Sequence, residues 1–166
     1  MHTREEKMQA FGRLLDVLDE LREKCPWDHK QTNESLRPNT IEETYELCDA
    51  LVKDDANEIC KELGDVLLHV CFYAKIGSEK EQFDIADVCN RLCDKLIFRH
   101  PHVYGDAVAN NAGDVVKTWE QIKLKEKGGN KTVLSGVPDA LPALIKAYRV
   151  QDKARNVGFE DRKSVV

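Results

Sequence analysis

Two pairs of carboxylates, Glu43 with Glu46 and Glu62 with Asp65, occur at i,i+3 spacing, which on a helix projects two side chains from one turn. Like charges brought together away from water either take up protons or bind a cation. Four carboxylates with no thiolate or imidazole at matching spacing form a hard, all-oxygen donor set. Such a set favours Mg²⁺, or Mn²⁺, over Zn²⁺. A di-iron carboxylate bundle would carry Glu-x-x-His on two helices; here the fourth positions are Glu46 and Asp65, and iron is the weaker choice. The competing role is a solvated acidic face. It stands level with the metal for Glu42 and Asp49, but below it for Glu62 and Asp65, which lie in an apolar segment.

The elements that must position these groups are two helices. Residues 58–74 are apolar on nearly every side in their second half, as expected inside a bundle. At about 100° per residue, Glu58, Glu62, Asp65 and His69 fall in one stripe roughly 60° wide. In residues 41–52, Ile41, Thr44, Tyr45, Cys48, Leu51 and Val52 share one side, and Glu42, Glu43, Glu46 and Asp49 crowd the other. The polar stretch 53–57 has the length of a helix–helix connection. The two helices are therefore expected antiparallel, with acidic stripes facing.

The 166 residues suffice for one domain with its own core. A net charge of −5 argues against nonspecific nucleic-acid binding. With 33% charged residues and clear helical periods, the expected class is all-α. Residues 1–22 are amphipathic rather than a signal peptide, and the longest apolar run, 66–74, is too short to cross a bilayer. The six cysteines contain no Cys-x-x-Cys pair and read as small apolar residues of a reduced, cytoplasmic protein.

In chain order, a first helix is expected at 4–24, carrying Phe11, Leu14, Leu15, Leu18 and Leu21, and stopping before Pro26. An irregular connection through Pro38 follows, in which Trp27 either plugs the core or flanks a base, the core role being the commoner. Thr40 with Glu43 fits a capping box at the start of the second helix. The third helix ends near Gly77. Phe83 and Asp84 introduce a fourth with Ile85, Val88, Leu92 and Leu96 as its buried stripe. Lys95 and Arg99 beside that stripe are snorkelling cations if alone, and a phosphate clamp if they stand near a metal. His100 and His102, flanking Pro101, lack a third ligand and take structural roles. A fifth helix is expected at 114–127, a loop at 128–138, and a last helix at 139–158 that Asp139 caps and Gly158 ends. A tail follows at 159–166.

These residues in order resemble the MazG family of nucleoside triphosphate pyrophosphohydrolases. The blocks are Cys25-Pro26-Trp27-Asp28 with Gln31-Thr32, Glu42-Glu43-x-x-Glu46, Glu62-Leu63-Gly64-Asp65, Lys95-Leu96-x-x-Arg99-His100-Pro101-His102, and Trp119-Glu120-x-x-Lys123. The resemblance implies an all-α, oligomeric MazG-like helical bundle and Mg²⁺-dependent hydrolysis of nucleoside triphosphates to nucleoside monophosphate and pyrophosphate. It implies Glu43, Glu46, Glu62 and Asp65 as metal ligands, Lys95 and Arg99 on the phosphates, and Trp119 and Lys123 on the nucleotide. Trp27 is a further candidate against the nucleotide, and Glu42 implies a water-positioning group. The domain would span 1–127, with 139–158 resembling the connector between the tandem copies of larger MazG proteins. The Cys-Pro-Trp-Asp and Arg-His-Pro-His blocks look like those of a first copy, either truncated or naturally short. The alternative of another class is a MazG-fold oligomerisation or regulatory module that binds metal or nucleotide without efficient turnover.

Overall fold

Every element among the described residues, which are 1–107, 115, 122 and 132–159 of this computed structural model, is a helix. Two compact units divide the chain, Met1–Arg91 and Leu92–Val166. In the first, α1 (Arg4–Lys24) opens with a capping box: Thr3 Oγ1 accepts from the Glu6 amide and Glu6 Oε2 from the Thr3 amide. Glu5 and Glu6 in its first turn and Arg22 and Lys24 in its last complement the helix dipole. Pro26 ends it and begins the one-turn α2 (Pro26–His29).

The next helix starts earlier than its sequence signals suggest. α3 (Asn33–Lys53) runs straight through Pro38. Its cap is Thr32, whose hydroxyl accepts from the Ser35 amide while Ser35 Oγ accepts from the Thr32 amide. The segment around Pro38 is therefore helical rather than irregular: proline forgoes the bond to the Glu34 carbonyl and crowds it, a cost offset by the Thr32 cap and the burial of Leu36. Thr40 is not a cap, and the rival capping use of Glu43 disappears with it. Asp54, at φ 54°, ends α3 in the left-handed region that Asp tolerates. Asp55 then caps α4 (Ala56–Glu79), accepting from the Asn57 and Glu58 amides.

A two-residue connection forces α3 and α4 antiparallel, and α4 extends two residues beyond Gly77. The core of the first unit gathers Leu18, Leu36, Cys71, Phe72 and Ile76, with Phe11, Leu14, Leu15, Leu68 and Tyr73 around them. Each large apolar side chain so buried contributes about 1.5–3 kcal/mol. Gly77 admits the Phe83 ring, since a Cβ there would lie 2.8 Å from it. Asp84 caps α5 (Ile85–Arg99) through the Ala86 and Asp87 amides.

Several apolar faces differ from expectation. The buried stripe of α3 is Leu36, Thr40, Glu43, Leu47 and Ala50, while Ile41, Tyr45, Leu51 and Val52 face outward. On α5, Ile85 and Val88 are half-buried but Leu92 and Leu96 are exposed. Trp27, 59% exposed, does not plug the core. Of the six cysteines, all free, only Cys71 is buried. Each departure has one physical root: amphipathic spacing reports a sticky face, not which neighbour covers it.

In the second unit α6 (Pro101–Tyr104) follows α5 after His100. The last helix, α7 (Ala143–Asn156), is shorter than expected: Pro142 occupies the cap position and Asp139 instead pairs with Lys146 at 2.9 Å. It closes on Gly158 at φ 86°, with the Gly158 amide on the Arg155 carbonyl and the Phe159 amide on that of Ala154. Of the helix expected at 114–127, only Val115 and Ile122 lie among the described residues, and both are helical.

Candidate metal centre

The stripe of α4 that carries Glu62, Asp65 and His69 meets the stripe of α3 that carries Thr40 and Glu43. Carboxylate oxygens of Glu43, Glu62 and Asp65 lie within 4.8 Å of one another. Glu62 is 3% exposed, and its Oε2 has no hydrogen-bond partner. Its Oε1 accepts from Lys61 Nζ at 2.7 Å. A buried carboxylate with an orphan oxygen is costly, several kcal/mol by order of magnitude, unless a cation completes it.

Glu43, half-buried, stands among like charges. Burial first, then the charges of Asp65, Glu46, Glu62 and Glu42, push its carboxyl above the ordinary glutamate value. The donor set thus fits a hard divalent cation: oxygen donors only, one sign of charge, and one oxygen without a partner. A carboxyl raised on folding binds its proton more tightly folded than unfolded. Its contribution to stability is therefore present at low pH and lost as pH rises through the raised value. In chelator, Glu43→Gln should raise Tm at pH 7 by about 3 °C, and the gap should close as pH falls toward the ordinary value. Differential scanning fluorimetry across that range checks it; a variant no more stable than wild type at pH 7 contradicts it.

Behind the carboxylates lies a polar relay. Thr40 Oγ1 donates to the Leu36 carbonyl at 3.0 Å and stands 2.9 Å from His69 Nδ1 and 2.6 Å from the Tyr73 hydroxyl. His69 is 8% exposed, and burial holds its imidazole below the ordinary histidine range against the pull of Asp65. These contacts fix the rotation of α3 against α4, and so the facing of Glu43 and Asp65.

Other expected site residues are less gathered. Glu42 and Glu46 are exposed on α3; Glu46 stands outside the close trio but acts electrostatically on Glu43. With Tyr45, Asp49, Lys53, Lys61 and Glu62 it lines a groove of about 430 Å³. Trp27 is exposed on α2. Lys95, exposed, and Arg99, half-buried, lie on α5 in the second unit. Trp119 and Lys123 fall outside the described residues.

Residues 31–104 match the family model of the MazG nucleotide pyrophosphohydrolase domain. The chain carries a MazG domain. Both carboxylate pairs of the α3–α4 hairpin fall inside that match. The chain is 42% identical over 158 residues to a nucleoside triphosphate pyrophosphohydrolase of Escherichia coli (strain K12), covering 92% of this chain and 60% of the relative. It is 46% identical over 153 residues to the nucleoside triphosphate pyrophosphohydrolase/pyrophosphatase MazG of Thermotoga maritima, covering 90% and 58%. The chain therefore spans about three-fifths of the length of these curated relatives. The crystal structure of a mazG-related protein from Thermotoga maritima superposes with a TM-score of 0.59 at 24% identity, over 68% of this chain and 97% of that one. That likeness establishes the fold, an all-α one.

Three side chains around the MazG centre escape sequence inspection. Thr40 of α3 meets both His69 and Tyr73 of α4 across the hairpin, and the 3–4 spacing of Thr40 from Glu43, and of His69 from Asp65 and Tyr73, is the signal that points to them. Lys61 is adjacent to Glu62 in the chain, and neighbours on a helix ordinarily diverge.

Proposed function

We propose that this MazG domain hydrolyses nucleoside triphosphates at the α-phosphorus, releasing nucleoside monophosphate and pyrophosphate. The observation that carries this is the buried Glu62, its Oε2 unpartnered and within 4.8 Å of Glu43 and Asp65. The names of the relatives from Escherichia coli and Thermotoga maritima support the activity. Glu43, Glu62 and Asp65 would hold Mg²⁺, or Mn²⁺, with Glu46 as the fourth carboxylate. When bound, the ion supplies Lewis-acid polarisation of the phosphoryl oxygens and a lowered pKa for the attacking water.

The chain's own groups do the rest. Glu42 accepts a hydrogen bond from the attacking water and orients it. Lys95 and Arg99 offset charge on the phosphoryl oxygens and on the leaving pyrophosphate, Arg99 through its planar fork. Trp27, Trp119 and Lys123 hold the nucleoside end. Residues 1–127 form the catalytic body, and the C-terminal helix serves as connector. The outward apolar residues Ile41, Tyr45 and Leu51 of α3 and Leu63, Leu67 and Val70 of α4 suit a homo-oligomer, which light scattering would size. No helix among the described residues is long and apolar enough to cross a membrane, and four exposed free thiols suit a reducing, cytoplasmic setting.

Product analysis by ion chromatography over a panel of nucleoside triphosphates, with and without Mg²⁺, tests the proposal. Monophosphate plus pyrophosphate is expected. Diphosphate plus phosphate would move the attack to another phosphorus, and nucleotide binding without products would make the domain a binding module. Arg99→Ala should weaken triphosphate binding about tenfold and nucleoside binding hardly at all, by calorimetry. Equal losses for both ligands would remove the clamp.

A further inference from the structure

We infer that Lys61 is a tethered competitor for the metal centre, its ammonium standing in at Glu62 for part of the charge a divalent ion would bring. This rests on the carboxylate trio being that centre. Lys61 precedes Glu62 on α4, and consecutive helical residues point about 100° apart. The lysine nevertheless bends back to place Nζ 2.7 Å from Glu62 Oε1. Its side chain is 61% exposed while that of Glu62 is 4% exposed, so the cation reaches from solvent to a buried anion. The pairing leaves Oε2 of the same carboxylate without a partner. One oxygen is thus held by an internal cation, and the other remains available to an external one.

The long stem makes the arrangement reversible. Lys61 lines the groove of about 430 Å³ together with Lys53, Glu46 and Glu58, so release from Glu62 leaves the ammonium among other carboxylates rather than in an apolar wall. An ion approaching Glu62 Oε2 must meet the repulsion of Nζ or displace it. Glu62 then exchanges its internal cation for a divalent one, and the freed ammonium faces the groove with its charge available to an anionic ligand. Lys53 provides a natural control: it carries the same charge in the same groove but is bound to Asp49 at 2.5 Å, outside the trio.

The test is Mn²⁺ binding to the full chain, read from the loss of free-ion signal in electron paramagnetic resonance, without any turnover measurement. Lys61→Met should tighten Mn²⁺ binding about fivefold, with the gain shrinking at high salt. Lys61→Arg should keep wild-type or weaker binding, since its guanidinium can still hold Glu62. Lys53→Met should leave the affinity unchanged. Wild-type binding with Lys61→Met no tighter overturns the competition alone. The same fivefold gain in Lys53→Met would overturn it too, reducing the effect to net charge. A wild-type chain that takes up no Mn²⁺ would remove the metal centre and the competition together.

Discussion

Glu62→Gln is expected to lower Mg²⁺-dependent pyrophosphate release by about 100- to 1,000-fold, with the helical fold intact. The size of the effect follows from where the carboxylate sits. Glu62 is almost fully buried, at 3% exposure, with one oxygen on Lys61 and the other on nothing. An amide of the same shape keeps the packing but removes the charge, and it brings an NH₂ donor into a site built from acceptors. Loss of one preorganised electrostatic partner in a water-poor site is typically of that magnitude. Asp65→Asn should behave similarly, since it completes the same trio. Circular dichroism would show both variants helical while ion chromatography shows the lost product. Unchanged turnover in both would dismiss these carboxylates as ligands.

The second large effect is on stability. Arg22→Ala is expected to cost about 2–3 kcal/mol, lowering Tm by about 5–10 °C. Arg22 forms a fork on Glu79, with Nε 2.9 Å from Oε1 and Nη2 2.6 Å from Oε2. Its Nη1 donates to the carbonyls of Asp28 and Gln31, and its guanidinium lies 5.4 Å from the Phe72 ring centroid. One side chain thereby joins α1, the α2 turn and the end of α4. The Arg22 side chain is only 10% exposed whereas that of Glu79 is 37% exposed, so Glu79 can rehydrate and the cost stays at the lower end for a broken pair. Hydrogen bonding to Arg22, then its charge, holds the Glu79 carboxyl below its usual value. The pair's contribution is thus present above the ordinary glutamate value and is lost as pH falls through the depressed one. Urea denaturation at neutral pH measures the loss; a change under about 0.5 kcal/mol, the size of a neutral surface substitution, would deny Arg22 this role.

The antiparallel hairpin and the facing of Glu43 toward Glu62 and Asp65 were legible because helical period and a short polar connection leave few alternatives. Helix α1 was legible, its apolar period running from Phe11 to Leu21 and Cys25-Pro26 marking its end; the Thr3–Glu6 capping box at its start came from the structure. The start of α3 was not. Two capping signatures compete there, Thr32 with Ser35 and Thr40 with Glu43, and proline's local penalty made the later one attractive. Packing decides for the earlier one, because Leu36 must reach Leu18 and Phe72 in the core. Arg22 and Glu79 are 57 residues apart, a pairing no local pattern encodes. The outward faces of α3 and α5 carry apolar spacing identical to a buried stripe, so sequence alone could not say which stays uncovered.

The connection between α3 and α4 consists of Asp54 and Asp55 alone. Glu43 and Asp65 are consequently only 22 positions apart, and closing so short a loop sacrifices little chain entropy. The acidic centre is assembled by contacts near in sequence, of the kind that form quickly when a chain collapses. Mutual repulsion among Glu43, Glu62 and Asp65 is therefore borne within the hairpin itself. The most local tertiary pairing of the first unit and its anionic centre thus share one short stretch of backbone, so the dissolved ions that screen the carboxylates act on the hairpin itself.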